Sequence, residues 1–102
     1  MQVNTLTFQT PNGQVEGVQT KWPGFNILVV TGSKGFLACP AIDIFACENY
    51  GVAAALVESS SENPIGTLER FADRKITKVN EKAKLLGIET GMDVHKAFSL
   101  IA

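Results

Sequence analysis

Cys39 and Asp43 are the two residues whose type and spacing could do chemistry. Cys39 closes the run Phe36-Leu37-Ala38-Cys39 and is followed by Pro40, a residue suited to the first turn of a helix. A thiol at such a junction feels the partial positive charge of the helix N-terminus, which favours the thiolate. It would then serve as a nucleophile or an oxidation sensor. Asp43 opposes this, because a carboxylate four residues on disfavours a second negative charge nearby. The helix terminus contributes only ~0.3–1 kcal/mol per charge, and a close carboxylate cancels that.

A base is also missing from the neighbourhood of Cys39. Lys34 is five positions away, roughly 16 Å along an extended strand at ~3.3 Å per residue. The one histidine, His95, is remote in sequence. Cysteine as a small buried apolar residue is therefore the favoured expectation for Cys39. Asp43 stands in an apolar segment and needs hydrogen-bond partners. It is expected to accept backbone N–H groups at the strand–helix junction. The alternative is a ligand contact at the C-terminal edge of the sheet. Candidate catalytic residues are thus Cys39 and Asp43, and candidate ligand contacts are Lys34, Gly35, Cys39 and Asp43.

Other sites fit bland roles better. Gly32-Ser33-Lys34-Gly35 lacks the spacing of a phosphate loop and leads into a strand, so it reads as a hairpin turn. Cys39 and Cys47 are separated by seven residues, which is not zinc-knuckle spacing, and no metal or cofactor is expected. Asp93 is expected to cap the last helix and His95 to lie on the surface. Trp22 and Phe25 flank Pro23-Gly24 as an aromatic pair suited to an interface.

The elements that must position these residues follow from pattern. The chain has 102 residues, 45% hydrophobic and 19% charged, with a formal net charge of −1. That fits one domain, residues 1–102, with a hairpin at 1–25 and an α/β core at 26–102. Residues 1–69 carry two cations and six anions, and residues 70–102 carry seven cations and four anions. The cations of the basic third alternate with acids and lack stacking aromatics, so no nucleic-acid partner is expected. No apolar run approaches the ~20 residues of a membrane span, and no secretory signal is visible. With two cysteines, a reducing cytoplasm is the expected location.

Val3–Gln9 and Val15–Trp22 read as strands around the turn Pro11-Asn12-Gly13. This hairpin is poor in apolar residues and must lean on the domain or on another subunit. Asn26–Thr31 and Phe36–Cys39 follow as strands, then a buried helix over Ala41–Tyr50 ended by Gly51, then a central strand at Val52–Val57. The short crossover predicts that strands 36–39 and 52–57 are parallel. Glu58–Pro64 is a polar loop, Thr67 caps a short helix, and Lys75–Val79 is an edge strand blunted by lysines. Asn80 and Asp93 open two further helices. The expected fold is α+β, a two-layer sandwich of a mixed sheet with helices on one face.

Three strings, Lys34-Gly35-Phe36-Leu37-x-Cys39-x-x-Ile42-Asp43, Gly51-x-Ala53-Ala54-x-Leu56-Val57 and Leu85-Leu86-Gly87-Ile88-Glu89-x-Gly91-Met92, resemble the YunC-like family. These are small bacterial and archaeal proteins of unknown function. The resemblance implies an α/β two-layer sandwich whose β-rich N-terminal part assembles oligomers, a tetramer among them, and it implies no activity. The chain departs from the family pattern at Pro40, at Val52 and in the longer loop 58–64. The leading expectation is a homo-oligomer, dimer or tetramer, with a small-molecule ligand near Cys39 and Asp43. A thiol-dependent enzyme or redox sensor using Cys39, and a phosphate-ligand binder using the basic C-terminal third, are the alternatives.

Overall fold

The computed structural model describes residues 1–102. Six strands form one mixed sheet in chain order: β1 (Gln2–Thr10), β2 (Gly13–Trp22), β3 (Phe25–Thr31), β4 (Gly35–Ala38), β5 (Ala53–Val57) and β6 (Ile76–Val79). Neighbours are antiparallel except β4 and β5, which are parallel as the short crossover requires. The helices are α1 (Ile44–Cys47, continued by a 3₁₀ turn at Glu48–Tyr50), α2 (Leu68–Phe71), α3 (Glu81–Leu85) and α4 (Val94–Ile101). None is long and apolar enough to cross a membrane. The expected mixed-sheet α+β architecture is the one observed.

The strand period of two divides the sheet's apolar residues into two sets. Val15, Leu28, Val30, Leu37, Ala55 and Val57 join Leu68 and Phe71 of α2, Ala83 of α3, and Val94, Phe98 and Ile101 of α4 in the main core. Ala38, Ala54 and Leu56 point the other way and pack with Ile44 of α1. Three helices therefore cover one face, and the short crossover helix touches the second. The small side chains of β5 are what lets both layers lie close to the strand.

Within the chain the hairpin leans on the main core. Phe8 meets Phe98 with ring centroids 4.8 Å apart, and Asn12 Nδ2 donates to the carbonyl of Ser99 at 2.8 Å. Gly17 is needed here: a Cβ would sit 3.0 Å from Leu68 and 3.2 Å from the carbonyl oxygen of Leu6. The turn between β3 and β4 is just as close. Lys34 N–H donates to the carbonyl of Ile101 at 2.8 Å, and a Cβ on Gly32 would fall 2.1 Å from that same oxygen.

The segment after β4 differs from expectation. In place of a buried helix over Ala41–Tyr50, the chain makes a turn in which Ile42 N–H donates to Cys39 O at 3.2 Å, and α1 begins only at Ile44. The reason is Asp43. Its carboxylate accepts from Phe45 N–H and Ala46 N–H at 3.0 and 3.1 Å, so it sets the start of the helix. The apolar surface is not all buried either: Phe45 is 53% and Tyr50 82% exposed.

One fully buried polar residue ties the crossover to the sheet. Asn80 Oδ1 accepts from Ala54 N–H (3.1 Å) and Ala83 N–H (2.9 Å), while Nδ2 donates to Ile44 O (3.0 Å) and Val52 O (2.9 Å). All four hydrogen-bonding positions of the amide are used, the condition under which a buried polar side chain stabilises rather than costs. The expected cap is real, and it is one of four jobs. Thr67 caps α2 as expected, accepting from Arg70 N–H at 3.2 Å. Asp93 precedes α4 but makes no capping bond. Its carboxylate instead lies 3.4 Å from Lys75 Nζ.

Candidate functional site

The strands β4 and β5 end at the same side of the sheet, and the chain leaves both into loops that stand over the helix-covered face. Cys39 directly follows β4. Its N–H continues the ladder by donating to Leu28 O at 3.0 Å, which places the residue on the main-core face, 7% exposed. Above it runs the loop after β5. Gln19, buried and inward-facing on β2, donates to Gly66 O at 2.9 Å and pins the loop's end to the sheet. Arg74 grips the loop's middle, donating to the carbonyls of Asn63 and Pro64, both at 2.8 Å. Ser59 and Ser60 accept from Ile65 N–H and Asn63 N–H at 3.2 and 3.0 Å.

Between this loop, the Cys39–Ala41 turn and the β2–β3 connection lies a cleft of about 490 Å³. Leu28, Cys39 and Ile65 supply buried apolar lining, and Trp22 and Phe25 add an aromatic wall. The two rings meet edge to face with centroids 5.6 Å apart. Lys21 and Asn26, opposite each other in the β2–β3 register, supply polar lining along with Ser59 and Ser60. Lys21 is the sole charged residue among the lining, and its ammonium group is in none of the ion pairs. The volume falls within the range of small-molecule sites, and the C-terminal ends of adjacent strands are a common place for them.

The sequence-derived candidates are only partly brought together. Cys39 lines the cleft. Asp43 does not; both its capping bonds come from the backbone of α1, the structural role expected of it. Because α1 starts at Ile44 under Asp43, Cys39 is not the residue at a helix N-terminus, and the electrostatic reason for a reactive thiol falls away. Lys34 and Gly35 stand at the opposite end of β4 and line a separate, shallow depression with Ser33 and Gly51. His95 faces Asp73, with Nε2 3.7 Å from Oδ1, and does not line the cleft. Cys39 and Cys47 are both free thiols, and Cys47 Sγ donates to Asp43 O at 3.4 Å. No three His, Cys, Asp or Glu side chains converge as a metal site would need.

Three of the seven cations of the basic C-terminal third are engaged by the chain's own acids and carbonyls. Lys75 pairs with Asp93, Lys84 with Glu81 at 3.1 Å, and Arg74 holds the loop. The residues that the sequence reading missed are Lys21, Asn26, Ser59, Ser60 and Ile65, which line the cleft, and Gln19, which positions it. Gln19 alone left a signal: it is a polar residue in the same alternating register as Val15 and Gly17.

The fold recurs in the crystal structure of a protein of unknown function, TA1206 from Thermoplasma acidophilum. The two share a TM-score of 0.83 at 16% sequence identity, over 99% of this chain and 94% of that one. At that identity the likeness shows the fold, hairpin included. No functionally curated protein matches the sequence. Residues 38–101 match the domain of unknown function DUF1805, a stretch that holds Cys39, Asp43 and Asn80 but not the aromatic wall or Lys21. More than half of the chain lies in that match, and the protein belongs to the DUF1805 family.

Proposed function

We propose that the protein is a self-associating, non-catalytic binding domain whose copies join along the outer edge of β1, each presenting the Cys39 cleft to a small ligand. The observation that carries this is the character of β1. It is nine residues long, pairs only with β2, and contains no charged residue and no proline. Edge strands of that kind are templates for pairing with another chain, and proteins that stay monomeric usually blunt them. Two copies of β1 running antiparallel would meet as one self-complementary interface about a twofold axis. Exposed Phe45, on the helix that touches the second face, offers a further contact for a tetramer.

The non-catalytic part rests on the engagement of Asp43 in capping and of His95 with Asp73, which leaves Cys39 without a proton acceptor from either. The finer YunC-like placement is supported by the strings at 34–43, 51–57 and 85–92, which largely fall within the matched stretch. A reducing, cytoplasmic setting is supported by the two free thiols.

Sedimentation velocity of the full chain tests the assembly. The wild type is expected to sediment as a dimer or larger. Val3→Lys with Thr5→Lys puts two charges on exposed β1 positions, Val3 being 60% exposed, and is expected to give a folded monomer. A monomeric wild type, or a double variant that assembles like the wild type, overturns the proposal.

A further inference from the structure

We infer that the cleft takes a small monocarboxylate with an aromatic or branched-aliphatic body, its carboxylate facing Lys21 and its body against the Trp22–Phe25 wall. This deepens the ligand-binding reading above and rests on it. The charge balance of the lining is the first argument. Lys21 is the one charged lining residue, no carboxylate stands beside it, and its ammonium group is unpaired. A cleft with a single cation is complementary to a single negative charge. A dianionic phosphate would leave half of its charge unmatched, with no second lysine or arginine in the lining to meet it.

The second argument is the pair of serine hydroxyls. Ser59 Oγ and Ser60 Oγ each accept a backbone N–H from the loop, so the loop uses their oxygens and leaves their own O–H groups to donate elsewhere. Donors without acceptors of their own, in a cleft whose one charge is an unpaired cation, suit an anionic oxygen. The third is the shape of the apolar part. Phe25 is 50% exposed, with Trp22 as its one aromatic partner, and Leu28 and Ile65 are buried residues of the same lining. About 490 Å³ is ample for a single ring or a short branched chain. The apolar body supplies the area that drives binding, and Lys21 selects for charge.

The test is titration of the isotopically labelled full chain with phenylacetate, 3-methylbutanoate, phenylacetamide and inorganic phosphate, followed by amide and indole N–H resonances. Both carboxylates are expected to shift the Trp22 indole and the Cys39 and Gly66 amides. Lys21→Met, a change at an exposed position, should keep a dispersed spectrum and weaken carboxylate binding about tenfold. Its affinity for phenylacetamide should equal that of the wild type. Phenylacetamide binding the wild type as tightly as phenylacetate, or phosphate shifting the same resonances with equal affinity, overturns the ligand class while leaving a binding cleft. Silence of the cleft resonances to all four probes overturns the ligand class and the binding reading together.

Discussion

The two outer edges of the sheet pose the same problem and are finished differently. β6 is four residues long, carries Lys78, and follows Lys75. Its outer side is also bonded by the chain that precedes α4: Ile76 N–H donates to Met92 O at 2.9 Å and Gly91 N–H to Ile76 O at 2.7 Å. Val94 N–H donates to Arg74 O at 3.0 Å, so the cover extends past both ends of Lys75. β1, at the far side, has more than twice the length, no charge and no cover. Where the chain itself bonds the start of β6, from Arg74 to Ile76, a foreign strand cannot pair. The open edge of β1 is what the proposed pairing with a second copy rests on, and the two ends of the sheet differ in how much of their backbone the chain itself uses.

The largest effect should come from breaking the closed half at its centre. Asn80→Ala removes an amide that serves α1, β5 and α3 at once, orphaning Ala54 N–H and the carbonyls of Ile44 and Val52 in the interior. At ~1–3 kcal/mol for each buried group left unsatisfied, the loss is about 4 kcal/mol or more, read as a lower urea midpoint. That is a large part of the stability of a domain this size. Gly32→Ala comes next. Its methyl would meet the Ile101 carbonyl at 2.1 Å, so the end of α4 must move, at a cost of about 1–3 kcal/mol in the same measurement. The smallest effect sharpens the contrast of the edges. Lys78→Thr makes β6 as uncharged as β1, yet the strand is four residues long and Gly91 and Met92 still bond its first residue, Ile76. Sedimentation should not change, and stability should move by less than about 0.5 kcal/mol.

Local patterns made most of the framework legible. Apolar runs marked β3, β4 and β5, turn residues marked the hairpin, and the ten-residue crossover implied the parallel pair. The extent of α1 was not legible, because Asp43 and Pro40 both invite a helix start and only the turn through Cys39 O decides between them. Asn80 looked like a cap, since sequence shows its neighbours on α3 but not the strand and helix that fold back onto it. The cleft was hidden for a related reason. Its walls come from residues 21–28, 39–41 and 59–66, three segments with no common motif, and Cys39 alone pointed to it.

The register of β1 on β2 sets Gln2 directly across from Lys21. A strand added outside β1 would therefore run two strand spacings, about 10 Å, from the backbone of Lys21. Occupancy of one site and formation of the other would then share a backbone ladder, and by reciprocity whatever tightens the quaternary contact on filling must tighten retention of the ligand by the same factor.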